Sequence, residues 1–117
     1  MNLWVDSLRR FLDRQEAEEE QYRATIASRL LSAKEELVRQ FPAVTRVAVI
    51  GSFCTPSLFR RDSDVDIVVC GLSVADYFIA LFLLERILQV PVDLLREEEI
   101  PESLQAHIKD ALVLYAR

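Results

Sequence analysis

Glycine is nearly absent, two residues in 117, and the chain has only four prolines, two cysteines and one histidine. So little glycine and proline leaves no room for a long linker or a low-complexity tract, and a single domain is expected. Two cysteines in unlike contexts exclude a disulfide framework and a cysteine-based zinc site. Cys70 ends an apolar run and reads as a small buried hydrophobe. Cys54 would need a histidine partner to act as a nucleophile, and His107 is the only candidate. His107 itself lacks ligand companions and reads as a surface residue of the last helix. Basic residues are outnumbered, 14 against 19 acids, giving a net charge of −5. A protein that tracks a phosphate backbone shows a basic face, so no direct nucleic-acid contact is expected. Clustered acids suit metal ions or a basic protein partner instead. Long apolar runs are also missing: the stretch around Tyr77–Leu84 falls far short of the roughly 20 residues that span a bilayer. The N-terminal Met1-Asn2-Leu3-Trp4-Val5-Asp6 carries an acid where a signal peptide is apolar. A cytoplasmic protein without membrane contact is expected.

What is present describes an ordinary globular chain, 51% hydrophobic and 28% charged. Residues 3–40 read as helix. Apolar side chains recur at Leu3, Trp4, Leu8, Phe11 and Leu12, then at Tyr22, Ile26, Leu30, Leu37 and Phe41, mostly in steps of three or four. Between them, Glu16-Ala17-Glu18-Glu19-Glu20 marks either a solvated bridge between two packed ends or a break. Pro42 ends the helix. The Trp4–Leu12 face suits an oligomer or partner interface or packing on the chain's own sheet, and the glutamate run suits solvent or a basic partner.

Arg46-Val47-Ala48-Val49-Ile50 reads as a buried strand closed by Gly51-Ser52, and Asp64-Val65-Asp66-Ile67-Val68-Val69-Cys70 as a second. Ser73 caps a helix through Leu88. Val90-Pro91-Val92-Asp93-Leu94-Leu95 is a third strand, at an edge or starting at the proline. Glu97-Glu98-Glu99 forms an acidic loop, and Pro101 opens a final helix with apolar positions at Leu104, Ile108, Ala111, Leu112 and Tyr115. The expected fold is α/β (α+β), a small mixed sheet flanked by helices. An N-terminal helical extension occupies residues 1–41 and the core domain residues 42–117.

The acids carry the chemistry. Asp64 and Asp66 are one residue apart, so on a strand both carboxylates share a face while Val65 turns the other way. Two carboxylates so placed repel unless solvent or a cation separates them. Mg²⁺ takes a few carboxylate oxygens together with substrate phosphates and water. Two such ions, about 4 Å apart, hold the entering and leaving oxygens of a phosphoryl displacement. Asp93, an acid inside an apolar strand, is the candidate third ligand and general base. Gly51-Ser52, directly after a buried strand, lets the backbone approach a ligand and offers a hydroxyl to phosphate oxygens. Each feature alone has a plainer meaning. Asp-x-Asp is common at exposed strand ends, Asp93 would pair with Arg96, and Gly-Ser is a turn.

Together, Gly51-Ser52, eleven intervening residues and Asp64-x-Asp66 resemble the signature of the polymerase-β-like nucleotidyltransferases. The short length points to the minimal nucleotidyltransferases, the MNT proteins. Leu84-Glu85-Arg86-Ile87-Leu88-Gln89-Val90-Pro91-Val92-Asp93-Leu94-Leu95, followed by a helix ending Ala111-Leu112-Val113-Leu114-Tyr115, is similar to the group's ending, so the resemblance covers roughly residues 44–117. It implies two Mg²⁺ ions on Asp64, Asp66 and Asp93, with Gly51 and Ser52 on the triphosphate of ATP. It also implies an antitoxin that transfers AMP to a tyrosine of a HEPN-domain ribonuclease toxin. The family's Gly-Ser-x-Ala-Arg-Gly is altered here to Cys54, Thr55 and Pro56, which bears on turnover. Arg60 or Arg61 is the candidate for the displaced charge. The alternatives are an antitoxin that neutralises its partner by binding alone, or a nucleotidyltransferase for a small molecule such as an aminoglycoside. A homo-oligomer through the N-terminal helix is a further expectation.

Overall fold

A computed structural model describes residues 3–55, 58–108 and 110–117, without the side chains of Leu3 and His107. Helix α1 spans Leu3–Gln40 without interruption, since no glycine or proline breaks it and its surface is filled with good helix formers. At about 1.5 Å per residue it is roughly 57 Å long, and it sets the 62 Å long axis of the molecule. The Glu16–Glu20 stretch is therefore no break. Only one of the two apolar groups is packed: Ile26, Leu30, Ala33, Leu37 and Phe41 are buried, whereas Trp4, Leu8, Phe11 and Leu12 are exposed. The first apolar group does not pack on the chain's own sheet.

Strand β1 (Arg46–Ile50) lies centrally, β2 (Val65–Cys70) and β3 (Val92–Arg96) follow on one side, and β4 (Leu112–Ala116) lies on the other, in the order β3-β2-β1-β4. β1 is antiparallel to both β2 and β4, and β2 is parallel to β3, so the sheet is mixed. The parallel pair is joined by α2 (Tyr77–Leu88), the usual crossover helix. Ser73 Oγ accepts the Asp76 N–H at 3.2 Å in the turn that leads into α2. Gln89, at φ +60°, ends the helix in the left-handed region. α1 and α2 cover one sheet face, where Val47, Val49, Val65, Ile67 and Val69 meet Leu30, Leu37, Ala80 and Leu84 in the main core. Full burial of each such aliphatic side chain contributes about 1.5–3 kcal/mol.

The C-terminal region corrects the sequence reading. In place of one long helix after Pro101, there are a 3₁₀ turn at Glu102–Leu104, one turn of helix α3 at Gln105–Ile108, and then β4. β4 closes the open edge of β1, with a bulge between Val47 and Ala48. It is half-exposed and apolar throughout, so it lacks the alternation that marks a strand, and its apolar positions also fit helical spacing. The free hydrogen-bonding edge of β1 decides its conformation. His107 falls in α3, but its side chain lies outside the described residues.

Candidate active site

Asp66 and Asp93 are the second residues of β2 and β3, and they stand opposite one another in the parallel register. Ile50, the last residue of β1, is the antiparallel partner of Asp66. Alternation places Asp66 on the sheet face opposite Val65 and Ile67, away from the α1/α2 core. Val65 is fully buried, Asp66 half-buried, and Asp64 exposed just ahead of the strand. The strand thus begins one residue later than the sequence suggested, and Asp64 belongs to the entering loop.

Gly51 follows β1 at φ +78°, where a short 3₁₀ turn, Gly51–Cys54, begins. A Cβ at Gly51 would stand 2.3 Å from Asp66 Oδ2. The positive φ favours glycine there, and a Cβ would in addition force the Asp66 carboxylate to turn away. Ser52 is half-buried beside it. The turn is fixed from inside by Phe53, which is buried and meets Phe59 edge-on at 5.1 Å. Cys54 Sγ donates to Val49 O at 3.2 Å, which ties the turn to the end of β1.

Burial pushes the pKa of Asp66 above the ordinary carboxylate range, and the neighbouring charges of Asp93 and Asp64 push it further in the same direction. Among the described residues, no lysine or arginine forms an ion pair with any of the three. The expected partner of Asp93 is engaged elsewhere: Arg96 donates to Leu72 O at 2.7 Å and pairs with Glu98 and Glu99. Nor do Arg60 and Arg61 supply charge at the Gly51 turn. Arg60 pairs with Glu19 of α1 at 2.6 Å, and Arg61 lies over the Tyr22 ring at 4.9 Å. Pro56, the third altered loop position, lies outside the described residues.

Among the described residues, no group of three or more histidine, cysteine, aspartate or glutamate side chains is arranged so that it could hold a metal ion by itself. The donor set is open. Hard carboxylate oxygens, mutually repelling and with no ion pair among the described residues, are of the kind that a hard divalent ion takes together with water and substrate oxygens.

Sequence reasoning missed the cavity beside Asp93. It measures about 470 Å³ and is lined by Ile50, Tyr77, Leu95, Ile100, Pro101 and Leu104 among others. Its far wall is the segment read as one long helix, so no periodicity could have revealed it.

A family model for the nucleotidyltransferase domain matches residues 30–115. Among curated proteins, none matches the chain. Three solved structures share the fold at 18–21% identity. One is a toxin–antitoxin with AMP-PNP, with a TM-score of 0.64 at 21% identity over 74% of this chain and 73% of that one. The toxin–antitoxin MntA–HepT gives a TM-score of 0.56 at 18% identity over 74% and 70% of the two chains. A tri-AMPylated Shewanella oneidensis HEPN toxin in complex with MNT antitoxin gives 0.56 at 19% identity over 76% and 73%.

Proposed function

Because the chain belongs to the nucleotidyltransferase domain family, we propose that it is a Mg²⁺-dependent adenylyltransferase, an MNT antitoxin. In this reading it transfers AMP from ATP to a tyrosine hydroxyl of a cytoplasmic HEPN ribonuclease toxin. The observation that carries this reading is the pairing of Asp66 with Asp93 across β2 and β3, with the Gly51 backbone close to Asp66 and, among the described residues, no ion pair to either acid.

Asp64, Asp66 and Asp93 would hold two Mg²⁺ ions, which when bound supply charge neutralisation to the triphosphate. The Gly51 turn and the Ser52 hydroxyl orient the β- and γ-phosphates. Asp93 takes the proton of the acceptor hydroxyl. The acceptor oxygen then forms a bond to the α-phosphorus, the bond from that phosphorus to the β-phosphate bridging oxygen breaks, and diphosphate leaves. Positioning is the main contribution of the chain, because holding the acceptor in line replaces a bimolecular encounter.

The neighbours named as complexes with HEPN toxin or bound to AMP-PNP support the choice of partner and nucleotide by analogy of fold. A second reading, neutralisation by binding alone, is favoured by the engagement of Arg60 and Arg61 with α1, away from the Gly51 turn.

The test is incubation with Mg²⁺, α-labelled ATP and a HEPN partner. Label on the partner that is lost in Asp66→Asn supports the transferase. A tight complex that neutralises the partner without any label refutes it and leaves the binding antitoxin.

A further inference from the structure

The first turns of α1 carry an apolar face that the core leaves uncovered. Trp4 is 86% exposed, Leu8 58% and Phe11 56%, with Val5 and Leu12 about half-exposed beside them. Steps of four and three put Trp4, Leu8 and Phe11 on one side of the helix. A contiguous stripe of this kind marks an interaction surface. Its two rings alone offer on the order of 300 Å², since a buried aromatic covers about 150–250 Å².

Charge along this arm is polarised. Residues 3–14 hold three arginines against two aspartates, a net of +1, whereas residues 15–20 hold four glutamates and no base, a net of −4. Two such arms laid parallel would set glutamates against glutamates. Laid antiparallel, the basic half of each meets the acidic half of the other.

A cavity points to the register. It measures about 410 Å³, lies on the flank of α1 and is lined by Arg14, Ala17, Glu18, Gln21, Tyr22 and Arg61 among others. These α1 residues belong to the turns that directly follow the apolar face. With two arms aligned so that Arg9 stands opposite Glu16 of a second copy, Phe11, Leu8 and Trp4 stand at the levels of Arg14, Ala17 and Gln21 of that copy. The register that pairs the charges thus brings the exposed apolar residues to the cavity. Two-fold symmetry repeats the match at the other end. Tyr22, with Arg61 over its ring at 4.9 Å, supplies an aromatic and cationic wall there.

We propose that this chain forms a two-fold dimer through antiparallel α1 arms. Each arm seats its Trp4–Phe11 face on the 14–25 flank of the other, with Arg9 paired to Glu16 across the axis. The interface is small for a specific contact, so a Kd on the order of 10 µM is expected, and the monomer prevails at about 1 µM. The dimer does not depend on the transferase reading.

The test is sedimentation equilibrium of the whole chain, without any other protein, from about 1 to 200 µM. Twice the chain mass at the upper end is expected, and a monomer throughout overturns the proposal. Leu8→Glu changes an exposed position, so the fold should survive. It should weaken association at least about tenfold. Arg9→Glu and Glu16→Arg should each weaken it several-fold, and the double exchange should restore it. A surface that is merely adhesive shows no such recovery, so a dimer without it overturns the proposal. A dimer that survives Leu8→Glu overturns it too. Loss in Phe82→Glu would then place the contact on the exposed Val74, Phe78 and Phe82 of α2. The proposal also falls if the chain stays monomeric and Leu8→Glu abolishes binding of a HEPN partner, which would make the arm the seat of that partner.

Discussion

Asp66 concentrates the conflict between stability and function in one carboxylate. Its pKa is raised in the folded chain, by burial first and then by Asp93 and Asp64. Between the ordinary carboxylate value and the raised one, the folded state binds more protons than the unfolded state, so stability falls as pH rises through that window. Asp66→Asn removes this penalty. In melting experiments without metal, the variant should have a higher Tm than wild type at neutral pH, and the difference should vanish below about pH 4, where the carboxyl is protonated in both states. On the proposed transferase reading, adding Mg·ATP should reverse the order, because the wild type would gain stability from a ligand that the variant binds less well. Gly51→Ala tests the same contact from the other side. The new Cβ would meet Asp66 Oδ2 at 2.3 Å, and the φ of +78° adds backbone strain of roughly 1–2 kcal/mol. On the proposed reading the variant should lose at least about tenfold in Mg·ATP affinity by calorimetry, since the carboxylate would be displaced from the position proposed for metal binding. The candidate residues Gly51, Ser52, Asp64 and Asp66 could be picked out of the sequence because their signal is local: a Gly-Ser after a buried strand and two acids one residue apart, of which only Asp66 lies on the strand. What the sequence could not give is the register that puts Asp93 opposite Asp66, a pairing across residues far apart in the chain.

At the scale of elements, legibility follows the source of the conformation. α1, α2, β1 and β2 carry their own signal in periodicity, β-branched runs and caps. β4 does not. Leu112-Val113-Leu114-Tyr115 is apolar throughout, and only the open edge of β1 selects a strand. Joints between elements are fixed by contacts that no local pattern announces. Gly71, between β2 and α2, sits at φ +90°, with the Ala43 carbonyl oxygen 2.2 Å from where a Cβ would be. Its N–H donates to Glu98 Oε1 at 2.7 Å, which ties the β3 end to the same joint. Gly71→Ala should therefore cost more than about 1 kcal/mol in urea unfolding. It should leave the Mg·ATP affinity of the folded protein unchanged, in contrast to Gly51→Ala. Two glycine substitutions of the same size would then separate a joint of the scaffold from a wall of the site.

Across the whole molecule, one helix does two different things. On a helical wheel, Trp4, Leu8 and Phe11 continue the stripe of Ile26, Leu30, Ala33 and Leu37. The sequence thus announces two apolar groups on nearly the same helix face, separated by the polar 16–20 run, without saying which of them the chain's own core takes up. The structure places that limit at the Glu19–Arg23 turn. There Glu19 pairs with Arg60, Tyr22 stacks on Phe59 with ring centroids 5.8 Å apart, and Arg23 donates to Phe53 O at 3.0 Å. From Trp4 to Glu18 no residue is buried, so this part of α1 extends beyond the core from the end that carries Gly51. The stability of the core should then not depend on it. Deleting the residues ahead of Glu18 should leave both the urea midpoint and the m-value within error of the full chain, because m tracks the surface that folding buries. Tyr22→Ala should instead lower the midpoint, with an unfolding free energy reduced by about 3 kcal/mol if the ring behaves as a core aromatic and by less in proportion to its exposure. A deletion that reduced m together with the midpoint would show that the first turns of α1 belong to the cooperative core, and the limit would have to move toward the N-terminus.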